Sequence, residues 1–149
     1  MLLSGIISLI IIFIDQISKF IVSSTFSAET QITIIPKVLR LIYVKNTGAA
    51  FSIFSEHVEF LGIVSAIFSV LIVIYAIKTK PVHPIHRLSI SFIFAGAVGN
   101  GIDRIVRGYV IDFIETVFIE FPVFNIADIA ITTGAVLLII YMLFFEPKK

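Results

Sequence analysis

Four apolar runs constrain this chain more than any other feature, because a helix that crosses a bilayer needs about 20 consecutive apolar residues. The first runs from Met1 to about Val22 and is broken only by Asp15 and Lys19. The second, "FLGIVSAIFSVLIVIYAI" (Phe60 to Ile77), carries no charge. The third, "LSISFIFAGAVGNGI" (Leu88 to Ile102), has only 15 uncharged residues. At 1.5 Å per residue that is about 22 Å, short of a hydrocarbon core of about 30 Å. The run is therefore expected to continue through Asp103 and Arg104 and to bring their charges close to membrane depth. The fourth is Ile126 to Phe145. Composition agrees: 58% of the 149 residues are hydrophobic and 14% charged, against about 25% charged in ordinary soluble domains. A net charge of +1 gives no case for nucleic acid, and without cysteine there is no disulfide, iron–sulfur cluster or thiol nucleophile.

The reading is a single all-α polytopic membrane domain over residues 1–149. Its four spans fall at about 1–22, 58–78, 87–105 and 125–145. The first run lacks the basic n-region and small-residue cleavage site of a secretory signal, so it reads as a retained helix. Lys and Arg near the helix ends set orientation. "KTKPVHPIHR" packs Lys78, Lys80 and Arg87 between spans two and three, and Lys148 and Lys149 end the chain. Both termini are then expected in the cytoplasm. The other connections, about 23–57 and 106–124, also carry basic residues, but acidic ones offset them.

Within the first outer segment, "TQITII" and "VLRLIYV" are rich in β-branched residues, and "KNTGAAF" supplies turn chemistry before a possible third strand, "AFSIF". A small β-structure on the outer surface is expected. In the second, "RGYVIDFIETVFIEFPVF", Asp112 and Glu115 stand at i, i+3 among apolar residues, which predicts a short amphipathic helix in the interface. Its position suggests a lid from Gly108 to Pro122.

Asp128 opens the most pointed question, because a carboxylate beside hydrocarbon is costly. Asn125 is a good N-cap and Asp128 falls at N3, so "NIAD" resembles a capping box, and an acid in the first turn suits the helix dipole. Against that structural role stands Asp112, 16 residues upstream on the same expected side of the membrane. Two converging aspartates are the minimal equipment of an aspartic protease: one takes a proton from water while the other, protonated, donates to the scissile carbonyl. Such a pair shares one proton. The first-turn dipole favours Asp128 as the carboxylate and leaves Asp112 as the protonated partner, unless Arg104 lies nearer Asp112. Spacing alone does not bring the two together.

"KNTGAAFS" (Lys45 to Ser52), "GNGIDRIVRGYVIDFI" (Gly99 to Ile114) and "FNIADIAI" (Phe124 to Ile131), in this order among four spans, resemble the lipoprotein signal peptidase family, signal peptidase II. "DQISKF" (Asp15 to Phe20) is similar to the family's first-helix pattern, so the resemblance covers essentially the whole chain. Gly101 departs from the usual "GNLIDR", which touches packing and not the polar positions. The resemblance implies a bacterial aspartic endopeptidase of the cytoplasmic (inner) membrane with its active site near the outer face. Such an enzyme removes prolipoprotein signal peptides by cutting before a diacylglyceryl-modified cysteine. It implies Asp112 and Asp128 as the catalytic pair. Asn46, Gly96, Asn100, Arg104, Asn125 and Ala127 would support the site or contact ligand, and Asp15 and Lys19 would form the family's polar pair. Membrane lipids and globomycin-type inhibitors are the other expected partners; no cofactor, metal or nucleic acid is implied, and a monomer is expected.

Plain physical readings stand beside these. Gly96, Asn100 and Arg104 share one helical face at i, i+4, i+8, which suits a site but equally suits interhelical packing. Asp15 and Lys19, acid before base at i, i+4, read first as a structural ion pair bracing the β-structure or the site. "HPIH" (His83 to His86) lacks the further ligands of a zinc site. A Ser/Lys hydrolase from Ser52 or Ser55 with Lys45 has no spacing to support it. A small transporter would place Asp, Asn and Arg in a bundle too, but no inverted repeat is visible. In a scaffold, replacing either aspartate would harm assembly without abolishing a reaction.

Overall fold

The computed structural model describes residues 2–48 and 57–146. Four helices and three strands follow in the order α1 (Leu2–Thr25), β1 (Ile32–Ile35), β2 (Leu39–Asn46), α2 (Val58–Thr79), α3 (Pro84–Arg107), β3 (Val110–Thr116) and α4 (Ile126–Phe144). The possible strand at 50–54, the serines 52 and 55, and Lys148 and Lys149 lie outside the described residues.

Helices α1, α2 and α4 are each long and apolar enough to cross a membrane; at 24, 22 and 19 residues they reach about 36, 33 and 28 Å. Their large side chains point outward: Leu9 is 68% exposed, Leu71 55% and Leu143 69%. Polar side chains are buried instead, with Asp15, Lys19, Asp103 and Asn125 all at 0%, beside small or β-strand apolar residues such as Ala127 and Ile111. A chain whose solvent is hydrocarbon gains nothing by hiding Leu and Ile, whereas an unpaired polar group facing lipid costs several kcal/mol.

Helix α3 is the centre of the bundle and packs against α1, α2 and α4. Glycines permit its closest approaches. A Cβ on Gly96 would lie 2.3 Å from the Ala127 carbonyl oxygen, and one on Gly134 would lie 2.8 Å from the Ser89 carbonyl oxygen. Gly101 faces α2, where a Cβ would meet Ser65 Cβ at 3.2 Å. The helix ends follow their local chemistry. Lys80 closes α2 in the left-handed region ahead of Pro81, Pro84 opens α3, and Gly108 (φ 74°) closes it.

The three strands form one antiparallel sheet in the order β1-β2-β3. The segment carrying Asp112 is therefore a strand and not the short interfacial helix that its i, i+3 acids predicted. "VIDFIET" is rich in β-branched residues, and β2 would otherwise present an unpaired row of N–H and C=O groups. In a strand, residues three apart point to opposite faces. Glu115 accordingly pairs with Arg40 directly across the sheet, and that guanidinium holds its carboxyl below the usual range. Asp112 turns the other way. A small apolar core of Val22, Ile111 and Phe113, flanked by Leu41, Tyr43 and Ile126, seats the sheet on the helix ends.

Candidate active site

Asp112 and Asp128 reach the same cavity from different elements, β3 and the first turn of α4. The cavity has a volume of about 500 Å³ and is lined by both aspartates together with Asn46, Asn100, Arg104 and Phe121. Three asparagines hold the carboxylates. Asn46 Nδ2 donates to Asp112 Oδ2 at 2.8 Å and Asn125 Nδ2 to Asp112 Oδ1 at 2.7 Å. Asn100 Nδ2 donates to Asp128 Oδ1 at 2.8 Å. Asn125 Nδ2 also lies 3.0 Å from Asn100 Oδ1, so one amide ties the two halves together.

The capping box is present as well. Asp128 N donates to Asn125 Oδ1 and Asn125 N donates to Asp128 Oδ2, each at 3.0 Å. Asp128 thus divides its oxygens, Oδ2 capping the helix and Oδ1 facing Asn100. The structural and chemical readings of this residue are compatible because a carboxylate has about four lone-pair sites.

Behind the cavity lies a buried ionic core. Lys19 Nζ is 2.9 Å from Asp15 Oδ2, 3.0 Å from Asp103 Oδ2 and 3.0 Å from Asn100 Oδ1. Ammonium can only donate, so it fixes the Asn100 oxygen toward itself and leaves Nδ2 for Asp128. Asp15 Oδ1 accepts from Ala127 N at 2.9 Å, and Asp103 Oδ2 accepts from Ile111 N at 3.2 Å. The two carboxylates therefore grip the backbone next to Asp128 and next to Asp112 respectively. Asp15 and Lys19 thus link α1 to α3 and to the first turn of α4 behind the cavity.

Sequence reasoning left Asp103, Arg107 and Gln16 out of the site. Arg107 pairs with Asp103 and donates to Gln16 Oε1 at 3.2 Å, while Gln16 Nε2 donates to Asp15 Oδ2 at 3.1 Å and Asp103 Oδ1 at 3.3 Å. One signal was available: Asp103 and Arg107 repeat the acid-before-base i, i+4 spacing of Asp15 and Lys19. Gly96 and Ala127 sit behind the cavity wall as packing contacts. Arg104 lines the cavity and donates to the Gly48 carbonyl at 3.3 Å, while its buried Nε has no partner among the described residues.

Burial, with a smaller contribution from the Asp128 charge, pushes Asp112 up to about 6, against the lowering effect of the Asn46 and Asn125 amides. Elsewhere, Lys45 Nζ stands 4.9 Å over the Tyr109 ring. His86 stacks on Tyr141 with centroids 4.3 Å apart and meets the Tyr75 hydroxyl at 3.0 Å, while His83 packs on Phe145. Among the described residues no cluster of His, Cys, Asp or Glu could hold a metal ion.

Comparison with known proteins agrees with this architecture. The model of the signal peptidase (SPase) II family matches residues 7–144. The lipoprotein signal peptidase of Fusobacterium nucleatum subsp. nucleatum is 40% identical over 142 residues, covering 95% of this chain and 86% of that protein. That of Staphylococcus aureus is 37% identical, covering 94% of this chain and 87% of that protein. A bacterial membrane enzyme solved by the in meso method superposes with a TM-score of 0.89 at 36% identity, over 98% of this chain and 93% of that one. With its apolar helices, the chain is an integral bacterial membrane protein. The family model covers nearly the whole sequence, and relatives at 37–40% identity share almost its full length: the chain belongs to the signal peptidase II family.

Proposed function

We propose that Asp112 and Asp128 are the catalytic dyad of an aspartic endopeptidase that removes the signal peptide of bacterial prolipoproteins, cutting before the diacylglyceryl-modified cysteine. The observation that carries this reading is the shared cavity, in which two aspartates from separate elements are held by asparagines and linked through Asn125. Asp128, in the first turn of α4 and facing Arg104, is the carboxylate that takes a proton from the attacking water. Asp112, pushed up to about 6, holds the shared proton and donates it to the scissile carbonyl oxygen. Collapse of the tetrahedral intermediate then breaks the C–N bond as the proton on Asp128 passes to the leaving amine and a hydroxyl proton of the intermediate returns to Asp112. Arg104, whose side chain lines the cavity, orients a substrate carbonyl through its guanidinium.

In the membrane, α3 crosses as well, as the third of four spans, and the basic connection between α2 and α3 lies in the cytoplasm with both termini. The sheet and the dyad then lie near the outer face, where a lipid-bearing cysteine presents its preceding peptide bond. Phe121 and Pro122 line the cavity and belong to the part of the expected lid, Gly108 to Pro122, that remains once β3 is paired into the sheet; Phe124, just beyond it, lines the cavity too. Globomycin-type inhibitors would compete for this cavity, and one copy of the chain supplies every residue named.

The test is cleavage of a diacylglyceryl-modified prolipoprotein by wild type, Asp112→Asn and Asp128→Asn, with thermal unfolding in detergent as the check on folding. An asparagine at position 128 still caps the helix, so capping and chemistry separate. Folded but inactive variants are expected; normal cleavage by Asp128→Asn would reduce that residue to a cap and overturn the mechanism.

A further inference from the structure

A second cavity lies at the other end of the bundle. It has a volume of about 340 Å³ and is formed where the first turns of α1, the last turns of α2 and the first turns of α3 meet. Gly5, Leu9, Ile72, Ala76, Ile90 and Phe94 make its walls. Arg87 and Asn100 are 13 residues apart on α3, which places the crevice about 20 Å along the helix from the dyad. It is no part of the catalytic cavity.

The polar atoms around it are already used, with one exception. Ser8 Oγ donates to the Ser4 and Ser91 carbonyls at 3.0 and 3.1 Å, and Ser91 Oγ to the Arg87 carbonyl at 2.8 Å. The exception is the Arg87 guanidinium. Its Nε reaches Ser4 Oγ at 3.5 Å, its terminal nitrogens have no hydrogen-bond partner among the described residues, and no carboxylate among them pairs with it. Exposed Lys78 and Lys80 lie at the same end of the bundle, at the close of α2. An apolar slot with exposed rims at Leu9 and Ile77, headed by a planar cation that has no carboxylate partner among the described residues, has the chemistry to take an acyl chain joined to a phosphate, since a guanidinium fork matches phosphate oxygens.

We infer that this crevice binds one anionic glycerophospholipid, with an acyl chain between α1 and α2 and its phosphate on Arg87. The site rests on geometry alone; only its assignment to the cytoplasmic leaflet rests on the orientation proposed above. A bound lipid would fill the gap between α1 and α2 and hold both against α3 at the end remote from the chemistry.

Native mass spectrometry of the purified, delipidated protein tests this with phosphatidylglycerol and phosphatidylcholine of identical acyl chains. Both headgroups offer Arg87 a phosphate, but choline sets a cation beside it, so wild type is expected to retain the net-anionic lipid about fivefold better, the effect of one basic residue acting on an anionic headgroup. Arg87→Gln should erase that preference, and Arg87→Lys should keep part of it. Gly5→Phe should lower retention of both lipids, because Gly5 lines the crevice and an added Cβ there meets nothing within 4 Å, which leaves the ring room to occupy the slot. Inorganic phosphate should not displace the lipid. Equal retention of the two lipids by wild type, an unchanged preference in Arg87→Gln, displacement by phosphate alone, or no effect of Gly5→Phe would each overturn the assignment. Detergent-phase cleavage should stay unchanged in these variants, so a failed lipid site is distinguishable from a failed peptidase mechanism.

Discussion

Replacing Gly96 by alanine should damage catalysis through packing alone. The new Cβ would sit 2.3 Å from the Ala127 carbonyl oxygen and 2.6 Å from Ile131 Cγ1. The carbon pair is then about 1 Å inside its optimal separation of about 3.5 Å. Ile131 can rotate, but the Ala127 carbonyl is backbone and can escape only if α3 and α4 separate. The predicted stability loss is that of an overpacked core, about 1–3 kcal/mol. The displaced backbone is the turn bearing Asp128, held by Asp15 through Ala127 N, so the dyad moves too. A misplacement of about 1 Å costs on the order of 10²-fold in rate. The assay is kcat/KM on a lipidated prolipoprotein, with thermal unfolding in parallel. Gly134→Ala is the control: it overpacks the same helix pair, at 2.7 Å from Ile93 Cγ1, but two turns further from Asp128. It should lose comparable stability and less activity per folded molecule. Wild-type activity and melting temperature in Gly96→Ala would refute the close-approach argument.

Lys19→Met should be among the most destabilising single changes. It leaves Asp15 and Asp103 buried without their shared cation, which costs about 3–5 kcal/mol; adding Asp103→Asn should recover part of the loss in thermal unfolding. Asn125→Ala removes a cap worth about 0.5–2 kcal/mol and an Asp112 hydrogen bond, so activity should fall more than stability. Burial raises Asp112 from 3.8 to about 6, so the folded state holds that proton more tightly than the unfolded chain. Its contribution to stability is full below pH 3.8 and is lost as pH rises through about 6. The stability difference between Asp112→Asn and wild type should therefore change by at most about 3 kcal/mol between pH 3 and 7, in favour of the variant at high pH. By the same titration, kcat/KM of the free enzyme should decline above about pH 6 as Asp112 loses its proton.

Much of this protein is written locally in its sequence. Apolar length determines α1, α2 and α4, because crossing hydrocarbon is a requirement on composition and rise per residue, met within each segment. The Asn125–Asp128 capping box and the Asp15–Lys19 pair are equally local, being fixed by spacings of three and four residues on one helix. Residues 110–116 mark where local reading stops. The spacing of Asp112 and Glu115 fits a helix, and the segment became a strand only because β2 lies beside it with backbone groups to satisfy. Register against Arg40 then sent Glu115 to one face and Asp112 to the other. The same holds for Asp103, whose role at Ile111 N and Lys19 requires α1, α3 and β3 to meet. Which charges in a membrane protein become buried partners is decided by what faces them across the bundle, and that information is carried by the packing of segments far apart in the chain.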